Sequence, residues 1–127
     1  MLYTFEYDTS YVPSMPVVEI RIGQRNTVPS VALPAIIDSG ADATIIPAGW
    51  LDQVQARRSE RAWMSTAAGT RRIVNLYVIS LRIGDYEQRA LSVIAGLDSE
   101  EAMIGRDVLN YLILTLNGLA SVTEITK

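Results

Sequence analysis

Cysteine and histidine are both absent from this chain of 127 residues. Without cysteine, the chain can form neither a disulfide nor a thiol nucleophile. Without histidine, it lacks the base of a Ser-His-Asp triad and the most common zinc ligand. These two absences exclude disulfide stapling, thiol catalysis, histidine-dependent triads and the usual zinc sites.

Long apolar segments and strong charge are missing as well. No apolar run has the length needed to span a bilayer, and the first residues lack the charged and apolar regions of a signal peptide. The net charge is −3, and the basic residues are scattered in short pairs such as Arg57-Arg58 and Arg71-Arg72. A nucleic-acid surface would need a basic stripe with interleaved aromatics. We therefore expect a cytoplasmic protein that binds neither a membrane nor nucleic acid.

What the chain has in abundance is Ile, Val and Leu, within an apolar content of 49%. This composition favours strands over disorder or a coiled coil. Apolar and charged residues alternate from Val18 to Ile22, as they do in a strand with one buried face. The length fits a single domain, spanning residues 1–127, with one core.

Turn residues divide this apolar sequence into short strands. We predict strands at 2–7, 16–22, 28–37, 44–46, 59–66, 70–83, 86–95, 113–116 and 119–122. Asn117-Gly118 lies between the last two and is typical of a tight hairpin turn. Apolar side chains fall on both faces over 73–79 and on one face over 80–83, which predicts a strand that starts buried and ends half-exposed.

One helix is predicted, from Arg106 to Tyr111, after the break at Gly105. Residues 48–55 could form another short helix after Pro47, serving as a surface connector. The predicted architecture is all-β: a small, partly closed barrel with one short helix.

The stretch most informative about function runs from 35 to 47 and contains Asp38-Ser39-Gly40 between β-branched residues. Glycine tolerates the backbone angles of a tight turn, so the pattern predicts strand, turn, strand. The turn would project the Asp38 carboxylate from an apolar wall, where desolvation can tune its protonation. Taken alone, Asp-Ser-Gly is more often an ordinary surface loop than a catalytic site.

A second stretch, 102–109, reads Ala-Met-Ile-Gly-Arg-Asp-Val-Leu. Together the two stretches resemble the signature of the retropepsin-like aspartic proteases, which is apolar-apolar-Asp-Ser/Thr-Gly-Ala followed by apolar-apolar-Gly-Arg-Asp/Asn-apolar-Leu. Both motifs occur once and in the family's order, with Gly105 67 residues after Asp38. The resemblance covers roughly Val17 to Gly118, and it implies a retropepsin-type barrel and an aspartic endopeptidase.

The resemblance implies a role for each residue that matches the family's loop. Asp38 is the catalytic carboxylate, and Ser39 bonds across a dimer to hold two such loops in register. Gly40 lets the substrate backbone approach the carboxylates. Thr44 and Asp107 bond each other beneath the loop.

Substrate contacts follow from the same resemblance. The residues it implies are Gly40, Ala41, Asp42, Ile45, Ala67, Ala68, Gly69 and Met103. Among them, 67–69 would be the tip of a flap, a hairpin that closes over the substrate, with one glycine where the family has a glycine-rich run. Ile45 and Met103 are explained equally well as core residues. Asp42 would also form a partly buried ion pair with Arg106, and this pair would be structural whether or not the protein is a protease.

An aspartic protease needs two carboxylates that share a proton about one water. This chain has one Asp-Ser-Gly and is too short for a second lobe. Catalysis would therefore require a homodimer in which each subunit contributes its Asp38. We expect no cofactor and no metal, and a peptide or protein substrate bound in extended conformation.

Two other functions are compatible with the residues. A retropepsin-like fold could serve, without catalysis, as a dimerisation or peptide-binding module. A metal-dependent hydrolase using Asp38 and Asp42 is less well supported, because two carboxylates without histidine supply few ligands. Proteolysis abolished by Asp38→Asn would favour the protease, and activity abolished by a chelator would favour the metal enzyme.

Overall fold

The computed structural model describes residues 2–127, which form ten strands and two short helices. Met1, which the predicted domain 1–127 includes, lies outside this range. The strands are β1 (Leu2–Glu6), β2 (Val17–Gln24), β3 (Val31–Ile37), β4 (Ile45–Pro47), β5 (Arg57–Ser65), β6 (Arg71–Ile83), β7 (Tyr86–Gly96), β8 (Met103–Ile104), β9 (Ile113–Asn117) and β10 (Val122–Thr126). The helices are α1 (Ala48–Gln53) and α2 (Arg106–Leu109).

The main sheet has seven strands in the order β2-β3-β8-β4-β7-β6-β5, and a further pairing of β2 with β6 closes it into a ring. The long strand β6 makes this closure possible. Its first part pairs with β5 as far as Val78, and its next residue, Ile79, pairs with Gln24 of β2. The all-β prediction is confirmed, and the predicted barrel-like closure takes the form of this ring.

The core lies inside the ring and is built by alternating side chains. Val18, Ile20 and Ile22, at every second position of β2, each have an exposed fraction of 2% or less. The second half of β6 contributes Ile79, Leu81 and Ile83, all at 0%. The prediction that this strand starts buried and ends half-exposed is wrong. Its first residues, including Ile73 at 55% exposure, belong to a two-stranded hairpin with β5 that projects from the ring.

A second sheet, in the order β1-β10-β9, packs on the ring through Phe5, Leu114 and Ile125. β10 has a partner on each side, so within residues 2–127 the free edges of this sheet are those of β1 and β9. The tight turn predicted at Asn117-Gly118 is wrong in its detail. The turn occupies 118–121, because the Asn117 side chain accepts a hydrogen bond from the Ala120 N–H at 3.0 Å.

The helix α1 is the second short helix, at the position where the sequence allowed a connector. It begins after Pro47 and places Leu51, which is 1% exposed, against the core. The connector therefore contributes to packing, while the fold class stays as predicted. Among residues 2–127, no helix is long and apolar enough to cross a membrane.

We expect Ile125→Ala to lower the free energy of unfolding by about 2–5 kcal/mol, because Ile125 is fully buried and its truncation leaves a cavity. The matched control is Ile73→Ala on β6, whose residue is 55% exposed and lies opposite Trp63 in the hairpin. That change should cost less than about 1 kcal/mol. Urea unfolding of both variants measures the difference, and equal losses would show that the second sheet does not pack as described.

Candidate active site

The loop that carries Asp38 connects β3 to β4 and is held from its first residue. The Asp38 N–H donates to the carbonyl of Ile104 in β8, at 3.0 Å. Within the loop, the Asp38 side chain accepts a hydrogen bond through Oδ1 from the Gly40 N–H at 3.0 Å, and the Ala41 N–H donates to the Asp38 carbonyl at 3.2 Å. A side chain that bonds its own backbone two residues on closes a tight turn and has its orientation fixed by that bond. The half-buried Asp38 carboxylate is therefore oriented by its own loop.

Beneath the loop, Thr44 and Asp107 bond each other twice. The Thr44 Oγ1 donates to Oδ1 of Asp107 at 2.8 Å, and the Thr44 N–H donates to Oδ2 at 2.9 Å. The same hydroxyl accepts from the Gly105 N–H at 3.2 Å. Thr44 is fully buried, so these bonds form away from water, where an unsatisfied polar group would be costly. They join the end of the loop to the start of α2.

Gly105 is required at its position by space. A Cβ atom added there would lie 2.8 Å from the carbonyl oxygen of Ala43 and 2.9 Å from that of Ala41. Its φ of −96° is open to any residue, so strain is not the reason for glycine. The close approach lets the Arg106 N–H reach the Ala41 carbonyl at 2.9 Å, which adds a backbone contact between α2 and the loop.

Arg106 holds the outer side of the loop. Its Nη1 donates to the Ser39 carbonyl at 2.8 Å, and its Nη2 contacts Oδ1 of Asp42. The Asp42 side chain is 90% exposed and that of Arg106 is 42% exposed. The expectation of a partly buried pair is therefore wrong, because this pair lies at the surface and such pairs contribute about 0–1 kcal/mol.

A support for α2 lies behind Asp107. The side-chain amide of Gln88 donates to the Asp107 carbonyl at 3.1 Å and to the Tyr86 hydroxyl at 2.6 Å. Burial raises the pKa of Tyr86, so its phenol stays protonated and neutral across the physiological range. Its ring stacks on Tyr111 with ring centroids 5.8 Å apart. The residues beneath the loop thus rest on a neutral, packed layer.

A cleft of about 490 Å³ separates the Asp38 loop from the β5–β6 hairpin. The loop side is lined by Gly40, Ala41, Asp42, Ala43 and Ile45, and the hairpin side by Ala62, Trp63, Met64, Ser65, Val74 and Leu76. Ile94 of β7, which pairs with both Ile45 and Leu76, lies between the two sides. Four of the predicted substrate-binding residues, Gly40, Ala41, Asp42 and Ile45, therefore meet at one cleft. Most of its lining side chains are apolar, and Asp42 and Ser65 add polar groups.

The other predicted substrate contacts lie elsewhere. Met103 is half-buried in β8, opposite Ile45, and does not line the cleft. Ala67, Ala68 and Gly69 form the exposed tip of the hairpin, beyond the residues that line the cleft. The tip is closed by its flanking residues 66 and 70, whose hydroxyl oxygens lie 2.6 Å apart.

Sequence reasoning missed the hairpin residues that face the cleft. Ala62 and Met64 are two apart on β5, and Val74 and Leu76 are two apart on β6, so each pair points to one face. The period-two pattern on either side of the predicted tip was the signal that could have identified them. In residues 2–127, no three acids lie in an arrangement that could hold a metal ion.

The family comparison covers the two segments that build this site. Residues 22–111 match the model of a family described as "gag-polyprotein putative aspartyl protease". The matched range contains the Asp38 loop and the segment from Gly105 to Asp107. No curated protein sequence matches the chain significantly.

Solved structures of proteases share the fold. A retropepsin-like aspartic protease from Rickettsia conorii has a TM-score of 0.64 at 10% identity, over 100% of this chain and 95% of that one. The EIAV protease complexed with the inhibitor HBY-793 has a TM-score of 0.53 at 17% identity, over 76% and 86%. The retroviral protease-like domain of Ddi1 from Leishmania major has a TM-score of 0.53 at 18% identity, over 83% and 82%. At such identities the likeness concerns the fold, and it confirms the predicted retropepsin type.

We expect Thr44→Val to lower the free energy of unfolding by about 1–3 kcal/mol. The new side chain keeps the shape of threonine but leaves the Gly105 N–H and one Asp107 oxygen without their buried partner. Thr44→Ser, which keeps the hydroxyl, should recover most of this loss, and Thr9→Val, at an exposed turn position, should be nearly neutral. Urea unfolding compares the three variants, and a Thr44→Val protein as stable as Thr9→Val would contradict the role assigned to the hydroxyl.

Proposed function

The chain belongs to the gag-polyprotein aspartyl protease family, and we propose that it is an aspartic endopeptidase that works as a homodimer. Each subunit, a single domain of residues 1–127, contributes one Asp38 to a site on the twofold axis. A water between the two carboxylates hydrolyses a peptide bond of an extended polypeptide. The chemistry uses no cofactor and no metal.

The observation that carries this proposal is the way in which Asp38 is presented. Its loop is anchored at both ends, to Ile104 at the start and to Asp107 at the end. Within residues 2–127, the Asp38 side chain accepts its hydrogen bond, from the Gly40 N–H, through Oδ1. The other acid of the loop, Asp42, is engaged by Arg106. One chain therefore offers one oriented carboxylate beside a cleft, which is half of the pair that the reaction needs.

The reaction divides the work between two unlike carboxyl groups. One Asp38 is ionised and takes a proton from the water, whose oxygen attacks the carbonyl carbon of the scissile bond. The other is protonated and hydrogen-bonds the carbonyl oxygen, which gains negative charge in the tetrahedral intermediate. A proton then passes to the amide nitrogen, the carbon–nitrogen bond breaks, and an amine and a carboxylic acid leave.

The remaining predicted residues have supporting roles in this proposal. Ser39 and Gly40 are exposed at the turn, where a second subunit and the substrate backbone would approach. Thr44 and Asp107 keep the loop in place. The exposed tip at 67–69 acts as a flap, because its own turn bonds hold it while few contacts tie it to the body.

The surface of the second sheet supports association of two chains. Its free edges belong to β1 and β9. Leu2, Ile113 and Leu116 on these strands are each more than half exposed. Exposed apolar edge strands invite pairing with another chain, so a twofold partner there would cover them. The cytoplasmic location stays a prediction from the sequence.

We expect Asp38→Asn to lower peptide cleavage about a hundredfold or more, because the amide cannot act as the general base. The matched control is Asp52→Asn, which changes an exposed carboxylate on α1. Digestion of a peptide library at acid pH measures both variants beside the wild type, and urea unfolding checks that both are folded. Undiminished cleavage by Asp38→Asn would contradict the assignment, and a wild type that binds peptides without cutting them would favour the non-catalytic module.

The homodimer makes activity depend on concentration. Specific activity should fall on dilution below the dimer dissociation constant, as sedimentation at the same concentrations would show. With a ninefold excess of Asp38→Asn, random pairing should reduce the activity per wild-type chain to about a tenth. The same excess of Asp52→Asn should leave it unchanged. A monomer that retains full activity would overturn the two-carboxylate mechanism.

A further inference from the structure

A second pocket, of about 430 Å³, lies at the base of the β5–β6 hairpin. We call it the arginine pocket, because its lining includes Arg25, Arg57 and Arg58, with Gln24, Gln55 and Val78. It forms where β5 and β2 meet along one edge of β6. There, Val78 of β6 pairs with Arg57 of β5, and the next residue of β6, Ile79, pairs with Gln24 of β2.

The three arginines of this pocket form no ion pair within residues 2–127. The ion pairs of residues 2–127 use other arginines, at positions 21, 72, 82, 89 and 106. Arg25, Arg57 and Arg58 therefore have no carboxylate within 4.0 Å in the described part of the chain. Guanidinium groups stay charged at any physiological pH. Three arginines that line one pocket, in a protein of net charge −3, favour an anion there.

The arginine pocket lies next to the active-site cleft on the same two strands. Val78 and Leu76 are two apart on β6, so their side chains point to the same face of the sheet. Leu76 lines the cleft and Val78 lines the arginine pocket. A strand advances about 3.3 Å per residue, so Leu76 and Val78 lie about 7 Å apart along β6. An extended polypeptide that left the cleft along this strand would therefore reach the pocket within a few residues.

We propose that the arginine pocket binds acidic side chains of the polypeptide substrate, on the flank of the cleavage site. The inference rests on the proposed protease activity. The planar fork of a guanidinium matches a carboxylate with two parallel hydrogen bonds. The amides of Gln24 and Gln55 offer further donors, and Val78 gives an apolar floor for the methylene groups of Asp and Glu. The pocket lining contains no aromatic ring on which a nucleic-acid base could stack.

The test uses two peptides with one cleavable core, chosen from the library digest. One peptide carries three Asp or Glu residues on one flank of the cleaved bond, moved outward one position at a time through a peptide series, and the other carries Asn or Gln at the same positions. Each peptide is made with the triplet on either flank. Wild type should prefer the acidic peptide about tenfold in kcat/KM, mainly through KM, because screened ion pairs add modestly to binding and do not act on the reacting atoms. The preference should shrink as salt is raised.

The variants locate the effect. The double variant Arg57→Gln with Arg58→Gln should cleave both peptides at the rate that wild type shows for the neutral one. Arg61→Gln is the matched control, since it removes the same charge from β5 outside the pocket, and it should keep the preference. A single Arg25→Gln variant, which removes a charge from the part of the pocket next to β2, should also reduce the preference for the acidic peptide.

Three results would overturn the proposal while leaving the protease intact. The first is an equal kcat/KM for the two peptides. The second is a preference for the acidic peptide that persists in the double variant without Arg57 and Arg58. The third is binding of inorganic phosphate at the pocket while the acidic peptide shows no higher kcat/KM than the neutral one. Failure of the protease itself is distinguished by binding. If wild type cuts neither peptide, fluorescence anisotropy with Asp38→Asn still supports the site when the acidic peptide binds tighter and the double variant abolishes the difference. Equal binding of the two peptides in that assay would overturn it.

Discussion

The site depends on one partly buried interaction, the pair of hydrogen bonds between Thr44 and Asp107, which are 63 residues apart in the chain. Both oxygens of the Asp107 carboxylate are occupied by the same threonine, and its hydroxyl accepts the Gly105 N–H in turn. A buried cluster with every partner present is rigid, whereas a partly satisfied one is costly. The loop that carries Asp38 is therefore held in place from below. The Asp38 carboxylate is then oriented by one local hydrogen bond, which it accepts from the Gly40 N–H.

The strand pairing around β8 brings this cluster together. β8 has only two residues, yet it pairs in parallel with β3 and in antiparallel fashion with β4. These two strands enter and leave the Asp38 loop, so β8 closes the loop at its base. Gly105 follows directly, and its missing side chain lets the start of α2 lie against the loop backbone. A motif of a few residues thus fixes a loop far from it in sequence.

Local patterns predicted the parts of the molecule whose causes are local. Alternation in β2 predicted a half-buried strand, and the two motifs identified the segments that meet at Thr44 and Asp107. The predictions failed where pairing between strands distant in sequence determines the structure. The first half of β6 is apolar on both faces but lies in a projecting hairpin, and the strand β8 is too short to show a period. Arg25 joins the pair Arg57-Arg58 only because β2 and β5 share an edge of β6, which no local signal reveals.

In the proposed homodimer, a twofold site would place a constraint on specificity. A peptide has direction, so its two halves are chemically different, while a homodimer offers each half the same walls. The cleft, lined mostly by apolar side chains, discriminates weakly between apolar residues, because a methylene is worth only about 1–3 kcal/mol. The proposed arginine pocket, one in each subunit, would distinguish acidic flanks from neutral ones without touching the reacting atoms. Selectivity can then be set at the base of the hairpins, while the anchored Asp38 loop keeps the geometry that the reaction requires.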